Sequence, residues 1–143
     1  MNCMNGEAFV DTNLLIYAHD RHGGRKTDQA QELLAQLWKE RRGVLSTQVL
    51  QEFCVNVRRK FRQPMSPAEL REAILAYMNW RLMVNTPNSI LRGLEVQAMF
   101  QLSFWDAMIV QAAESAGCEV LYSEDLSHGQ IYGGVIVVNP FLS

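Results

Sequence analysis

Ten residues near the start, Ala8-Phe9-Val10-Asp11-Thr12-Asn13-Leu14-Leu15-Ile16-Tyr17, constrain this chain more than any other stretch. Three apolar residues run into a carboxylate, two small polar residues follow, and a second apolar segment begins. A short continuous apolar run suits a strand buried on both faces, as in a parallel sheet. Asp11 then falls just past the carboxyl end of that strand, where open α/β sheets place their ligands. Taken alone, Asp11 is better explained as the N-cap of the next helix. A functional reading requires other carboxylates at the same place.

The rest of the chain alternates strands with helical segments. Asn13 to His19 suits a short helix, and Ala30, Leu33, Leu34, Leu37 and Trp38 recur at helical spacing between Thr27 and Arg41, with Gly43 ending that helix. Val44-Leu45 is a brief strand. Ser46 or Thr47 then caps a helix through Lys60 with the stripe Val49, Leu50, Phe53, Val57 and Phe61. Ser66-Pro67-Ala68-Glu69 has the form of a capping box with proline in the first turn, and predicts a helix to about Trp80. Leu82 to Val84 is a weak strand, Thr86-Pro87 opens a helix to about Phe100, and Ser103 opens another that stops at Gly117. Glu119 to Tyr122 and Val135 to Val138 complete the strands. The pattern predicts one α/β domain over 1–143, a parallel sheet between helices.

Composition narrows the function. With 48% hydrophobic and 20% charged residues the chain reads as soluble and globular, and a net charge of −2 requires any nucleic-acid contact to use a local basic patch. Cys3, Cys54 and Cys118 are odd in number, far apart and without a CxxC pair, which argues against a disulfide framework or a zinc site. No stretch is long enough to span a bilayer and no leader-like segment opens the chain, so a cytoplasmic location is expected.

Four acids fall near one edge of the predicted sheet. Asp11 and Asp125 follow strands, Glu52 lies early in the helix after another strand, and Asp106 opens the helix preceding the Asp125 strand. Each has a plain structural reading: a cap, a solvated helix residue, a capping box with Ser103, a turn. Together, each charged pair at ~5 Å and an effective dielectric near 20 costs roughly 3 kcal/mol, so the cluster requires protons or a cation. Oxygen donors favour Mg²⁺ or Mn²⁺, and a water on such an ion can attack a phosphodiester.

The segments carrying these acids are Phe9-Val10-Asp11-Thr12-Asn13, Ser46-Thr47-Gln48-Val49-Leu50-Gln51-Glu52-Phe53, Leu102-Ser103-Phe104-Trp105-Asp106-Ala107, Leu121-Tyr122-Ser123-Glu124-Asp125-Leu126 and Asn139-Pro140-Phe141. In this order and spacing, over nearly the whole chain, they resemble the PIN-domain ribonucleases, specifically the VapC-type toxins of bacterial toxin–antitoxin pairs. The resemblance implies a PIN-like three-layer sandwich with a central parallel sheet of four to five short strands flanked by helices. It implies Mg²⁺- or Mn²⁺-dependent hydrolysis of single-stranded RNA, with Asp11, Glu52, Asp106 and Asp125 as catalytic metal ligands. Thr12, Asn13 and Ser123 fit as polar residues orienting the carboxylates or water. A cognate antitoxin protein and a homodimer are implied as partners. The family often has an acid where His128 stands, and histidine is a poor ligand for Mg²⁺, so His128 is read as a loop residue. His19 and His22 are read the same way.

Arg58, Arg59, Lys60 and Arg62 form the densest basic cluster. They complement a helix C-terminus, or form a track for RNA phosphates that Arg25, Lys26, Lys39, Arg41 and Arg42 extend. No aromatic-rich RNA-stacking motif is visible. Trp38 and Trp80 suit either an interface or a half-buried helix face. The competing readings are a catalytically silent PIN-like binding module and a housekeeping RNA-processing nuclease. An aspartyl-nucleophile phosphatase lacks its second early aspartate, because Asn13 stands there.

Overall fold

The structure, a computed structural model, describes residues 6–61 and 63–142. Cys3 and Arg62 lie outside the described residues. In chain order the elements are β1 (Ala8–Val10), α1 (Thr12–Ala18), α2 (Arg25–Glu40), β2 (Gly43–Ser46), α3 (Thr47–Arg59), α4 (Pro67–Tyr77), β3 (Arg81–Met83), α5 (Pro87–Phe100), α6 (Phe104–Ser115), β4 (Val120–Tyr122), β5 (Ile131–Tyr132) and β6 (Val135–Val138). The strands form one sheet in the order β3-β2-β1-β4-β6-β5. β1, β2, β3, β4 and β6 run parallel, and β5 pairs antiparallel with β6. Helix α1 packs on both α2 and α3, and α5 packs on α6, giving an α/β three-layer sandwich.

Local sequence accounts for most of the element starts. Ser66 and Glu69 form the reciprocal capping box ahead of Pro67, and Thr86 with Ser89 repeats it ahead of Pro87. Ser46 caps α3 by accepting the Val49 amide at 3.3 Å. The predicted α3 stripe of Val49, Leu50, Phe53, Val57 and Phe61 is buried throughout. In the central strands Phe9, Val10, Val44, Leu45 and Leu121 have no exposure, as a sheet covered on both faces requires. Gly117, at φ +74, ends the turn after α6 in a conformation glycine adopts without strain.

Three expectations are corrected. The parallel strands number five, within the expected four to five, but a sixth, β5, joins antiparallel, so the sheet is not wholly parallel. Gly133-Gly134 turns the chain back on itself, so Ile131-Tyr132 pairs with Val135-Ile136 as a two-residue hairpin strand. Gly43 does not end α2. Arg41 takes the left-handed position at φ 55, and Gly43 begins β2. Its role is close approach: a Cβ there would overlap the six-membered ring of Trp80. That ring is held edge-to-face by Trp38 at 5.6 Å and by Tyr77 at 5.8 Å, so it has little room to yield. Gly43→Ala is therefore expected to destabilise by about 1–3 kcal/mol, the usual range for overpacking. A urea midpoint indistinguishable from wild type would refute this account. Third, Lys39 and Arg41 sit beside Gly43 and Arg81 at the strand starts, the sheet edge opposite Asp11. They do not extend a basic track from the acids. Arg42 on that same edge pairs with Glu40 and donates to the Gly6 carbonyl.

Candidate active site

The strand order reverses between β1 and β4, and ligands in open α/β sheets bind at the carboxyl ends of strands flanking such a point. Val10 and Tyr122 are partners in the register, so the next residues, Asp11 and Ser123, emerge side by side. Asp11 is 6% exposed. Its Oδ1 accepts the Thr12 amide at 2.7 Å, which makes it the N-cap of α1, and its Oδ2 accepts the Ser123 hydroxyl at 2.8 Å. Asp11 thus caps α1, as its plain structural reading expects, while facing the other acids. Burial pushes its carboxyl up to about 6, against the Ser123 and Thr12 hydrogen bonds, and the neighbouring charges of Asp125 and Glu52 push the same way.

The other acids come from three further elements. Glu52, in the second turn of α3, accepts the Thr12 hydroxyl at 2.7 Å. Asp125, in the loop after β4, accepts the Asn13 amide at 2.7 Å. Asp106 lies in the first turn of α6, where its backbone amide donates to Ser103 at 3.2 Å with no return bond completing a capping box. The side chains of Thr12, Asn13 and Ser123 therefore donate to Glu52, Asp125 and Asp11 respectively. All four acids line a cleft of about 190 Å³ with Thr12, Asn13, Gln48, Asn56, Lys60, Trp105 and Ile109. Among the described residues no three His, Cys, Asp or Glu side chains stand already gathered as a metal-ligand set. The donors are nevertheless all oxygen, and Asp11 is short of compensating positive charge. A hard divalent cation fits that chemistry.

The comparisons with known proteins follow from this geometry. The PIN domain family model matches residues 8–133. The chain belongs to the PIN-domain family. This PIN domain is similar in fold to a toxin–antitoxin complex from Klebsiella pneumoniae, with a TM-score of 0.69 and 20% identity over 94% of this chain and 98% of that one. It is likewise similar to the sarcin–ricin loop cleaving toxin VapC20 of Mycobacterium tuberculosis, with a TM-score of 0.65 and 22% identity over 83% and 90% of the two chains. VapBC2 from Rickettsia felis, bound to a DNA fragment from its promoter, gives a TM-score of 0.65 at 16% identity over 91% and 96%. No curated protein matches the chain in sequence.

Of the basic cluster in this PIN domain, the structure brings Lys60 to the cleft. Arg58 and Arg59 are exposed in the last turn of α3, and Arg62 lies outside the described residues. Glu124 is turned to a different task. It accepts the Tyr17 hydroxyl at 2.7 Å and pairs with Lys26, whose ammonium lies 5.3 Å from the Tyr17 ring centre and 5.4 Å from that of Phe141. Burial works against its charge, but Lys26 and Tyr17 outweigh it and hold the carboxyl below its usual range. His128 is exposed, and its Nδ1 accepts the Asn139 amide at 3.0 Å, a loop tie. His19 packs against Phe53 and meets the Tyr77 hydroxyl at 2.8 Å, and His22 is exposed.

Gln48, Asn56 and Trp105 line the cleft without having been singled out in the sequence. The first two had a legible signal. Gln48, Glu52, Asn56 and Lys60 are spaced by four, which places them on one face of α3. Trp105 had none beyond its position next to Asp106.

Proposed function

We propose that this PIN domain is a Mg²⁺- or Mn²⁺-dependent endoribonuclease acting on single-stranded RNA, and the toxin of a VapC-type toxin–antitoxin pair. The observation that carries the reading is the convergence of Asp11, Glu52, Asp106 and Asp125 on one cleft at the β1–β4 switch point. Four acids from four elements have no common structural task there, and their mutual repulsion is tolerable with a cation between them. The similarity in fold to solved toxins and toxin–antitoxin complexes supports the toxin role. A small antitoxin partner, a homodimer and a cytoplasmic site of action belong to the same reading. Among the described residues no helix is long and apolar enough to cross a membrane.

In this reading the four carboxylates hold the ion. Bound there, the cation supplies Lewis acidity, which makes a water nucleophilic and offsets charge on the phosphorane-like transition state. The chain's own residues do the positioning. Ser123 fixes Asp11, Thr12 fixes Glu52 and Asn13 fixes Asp125, so these three carboxylates do not have to be oriented as substrate arrives. Lys60 offers a cation to a phosphate in the cleft. Among the described residues Lys60 is the one cation lining the cleft, and in a chain of net charge −2 that makes the contact weak and salt-sensitive.

The test is cleavage of mixed-sequence single-stranded RNA by the pure protein. Cleavage with Mg²⁺ or Mn²⁺ that stops in EDTA is the expected result. Cleavage that persists in EDTA, or none with either metal, counts against the reading and favours a silent binding module.

A further inference from the structure

Beside the acid cleft lies a second cavity of about 250 Å³, formed by Gln48, Gln51, Glu52, Val55 and Asn56 of α3 with Trp105 of α6. It is continuous with the cleft, because Gln48, Glu52, Asn56 and Trp105 line both. Two of its members are apolar and open to solvent, Trp105 at 62% exposure and Val55 at 54%. An exposed indole on a monomer surface is ordinary by itself. This one has a ring packed against it and borders the acid cleft. The Trp105 carbonyl accepts the Gln48 amide at 3.2 Å, and Phe104 stands edge-on to the indole with ring centres 5.1 Å apart. Gln48 is only 3% exposed, yet its Oε1 has no hydrogen-bond partner among the described residues. A buried amide oxygen left unpaired costs free energy unless a partner arrives.

We infer that this slot receives an unpaired nucleobase adjoining the scissile phosphate, stacked on Trp105. The inference rests on the ribonuclease reading and extends it to a substrate contact. Its chemistry separates this occupant from others. Apart from Glu52, which faces the acid cleft as well, the slot carries no charged side chain, so neither a phosphate nor a charged peptide is matched to it. An aromatic face, an aliphatic wall and the amides of Gln51 and Asn56 suit a flat, uncharged ring with donors and acceptors on its edge. The contact explains how a chain without a strong basic patch keeps hold of RNA: stacking replaces part of the missing phosphate attraction. Every base has a π-face, so stacking alone sets little sequence preference, and selection falls to the amides.

The experiment compares wild type, Trp105→Phe and Trp105→Ala on a short single-stranded RNA cleaved at one position, and on the same RNA with an abasic nucleotide beside that position. The expected result is a loss of roughly ten- to hundredfold in kcat/KM for Trp105→Ala on the intact RNA, carried mainly by KM, with Trp105→Phe retaining most of the activity. On the abasic RNA, wild type should fall to a similar level and Trp105→Ala should add little. Trp105→Ala equal to wild type on intact RNA, while wild type still cleaves, overturns the slot alone. An equal loss on both RNAs assigns Trp105 a structural role through Gln48 and Asp106, and also overturns it. A loss explained by a change of oligomeric mass gives the surface to a second copy of the chain. Wild type that neither cleaves nor binds either RNA removes the nuclease reading together with the slot.

Discussion

Asp11→Asn is expected to abolish metal-dependent RNA cleavage while making the metal-free protein more stable at neutral pH. Its carboxyl is buried, and its protonation midpoint stands at about 6 against an ordinary 3.8. The folded state therefore holds more protons than the unfolded chain between these values. The stabilisation linked to protonation is fully present below pH ~4 and is lost as pH rises through about 6. At pH 7.5 the charged side chain costs the fold about 3 kcal/mol relative to a neutral one, at 1.36 kcal/mol per pH unit. Asparagine removes that cost but meets a new one. Its oxygen can still accept the Thr12 amide, but its NH₂ then faces Ser123 Oγ, which already accepts the Asp125 and Leu126 amides at 3.2 and 3.3 Å. A net gain of about 1–2 kcal/mol, or a Tm higher by roughly 3–6 °C in EDTA, is the expected balance. Activity should fall by about 10²–10⁴-fold, the scale for a group acting at the reacting atoms. Added Mg²⁺ should raise the Tm of wild type and not that of the variant. Denaturation at pH 4 to 7.5 is the check, since the variant should lack the wild-type loss of stability with rising pH. A variant less stable than wild type at pH 7.5, or one that still cleaves, contradicts this account of Asp11.

Ser123→Ala should act in the opposite direction on stability and the same direction on activity. Ser123 has no exposure, donates to Asp11 and accepts two backbone amides of the following turn. Alanine leaves the buried carboxylate without its hydroxyl donor and strips the Asp125 and Leu126 amides of their acceptor. Unmade bonds of this kind cost ~1–3 kcal/mol each when buried, and water can reach part of this loop, so a total of about 2–4 kcal/mol is expected. The same change removes the largest influence lowering the Asp11 pKa. The acid limb of the cleavage pH profile should therefore move to higher pH. Activity at neutral pH should drop by roughly 10–100-fold, as when a group orienting a metal ligand is lost. Urea denaturation and a pH–rate profile together test it, and an unmoved acid limb would separate Ser123 from Asp11 even if stability fell.

Elements with local causes were legible from residues alone. The Ser66–Glu69 capping box and the α3 stripe rest on contacts three or four residues apart, so they follow from spacing. β5 was not legible, because a two-residue strand has no period of its own and exists through its pairing with β6. Gly43 was misread for a related reason. Its position after a helix matches a capping signal, whereas its physical role depends on Trp80, a residue brought to it from the turn just before β3.

The candidate site divides along the same line. That the four acids reach one sheet edge was legible in advance, because the ends of predicted strands and the starts of predicted helices fall there, whereas Thr12, Asn13 and Ser123 were named only through the resemblance to the family. An all-carboxylate set, read from the sequence, favours a hard cation over a soft one. Which donor serves which carboxylate was decided by tertiary structure alone: Thr12 reaches Glu52 across 40 positions, and Asn13 reaches Asp125 across 112. So was the separation of Lys60, in the cleft, from Lys39 and Arg41 at the far edge of the sheet. Only the tertiary placement of the start of α6 near α3 set Trp105 beside Gln48 and Asn56. Strand order and helix packing are long-range choices made by the burial of the whole core, and no short window of residues contains them.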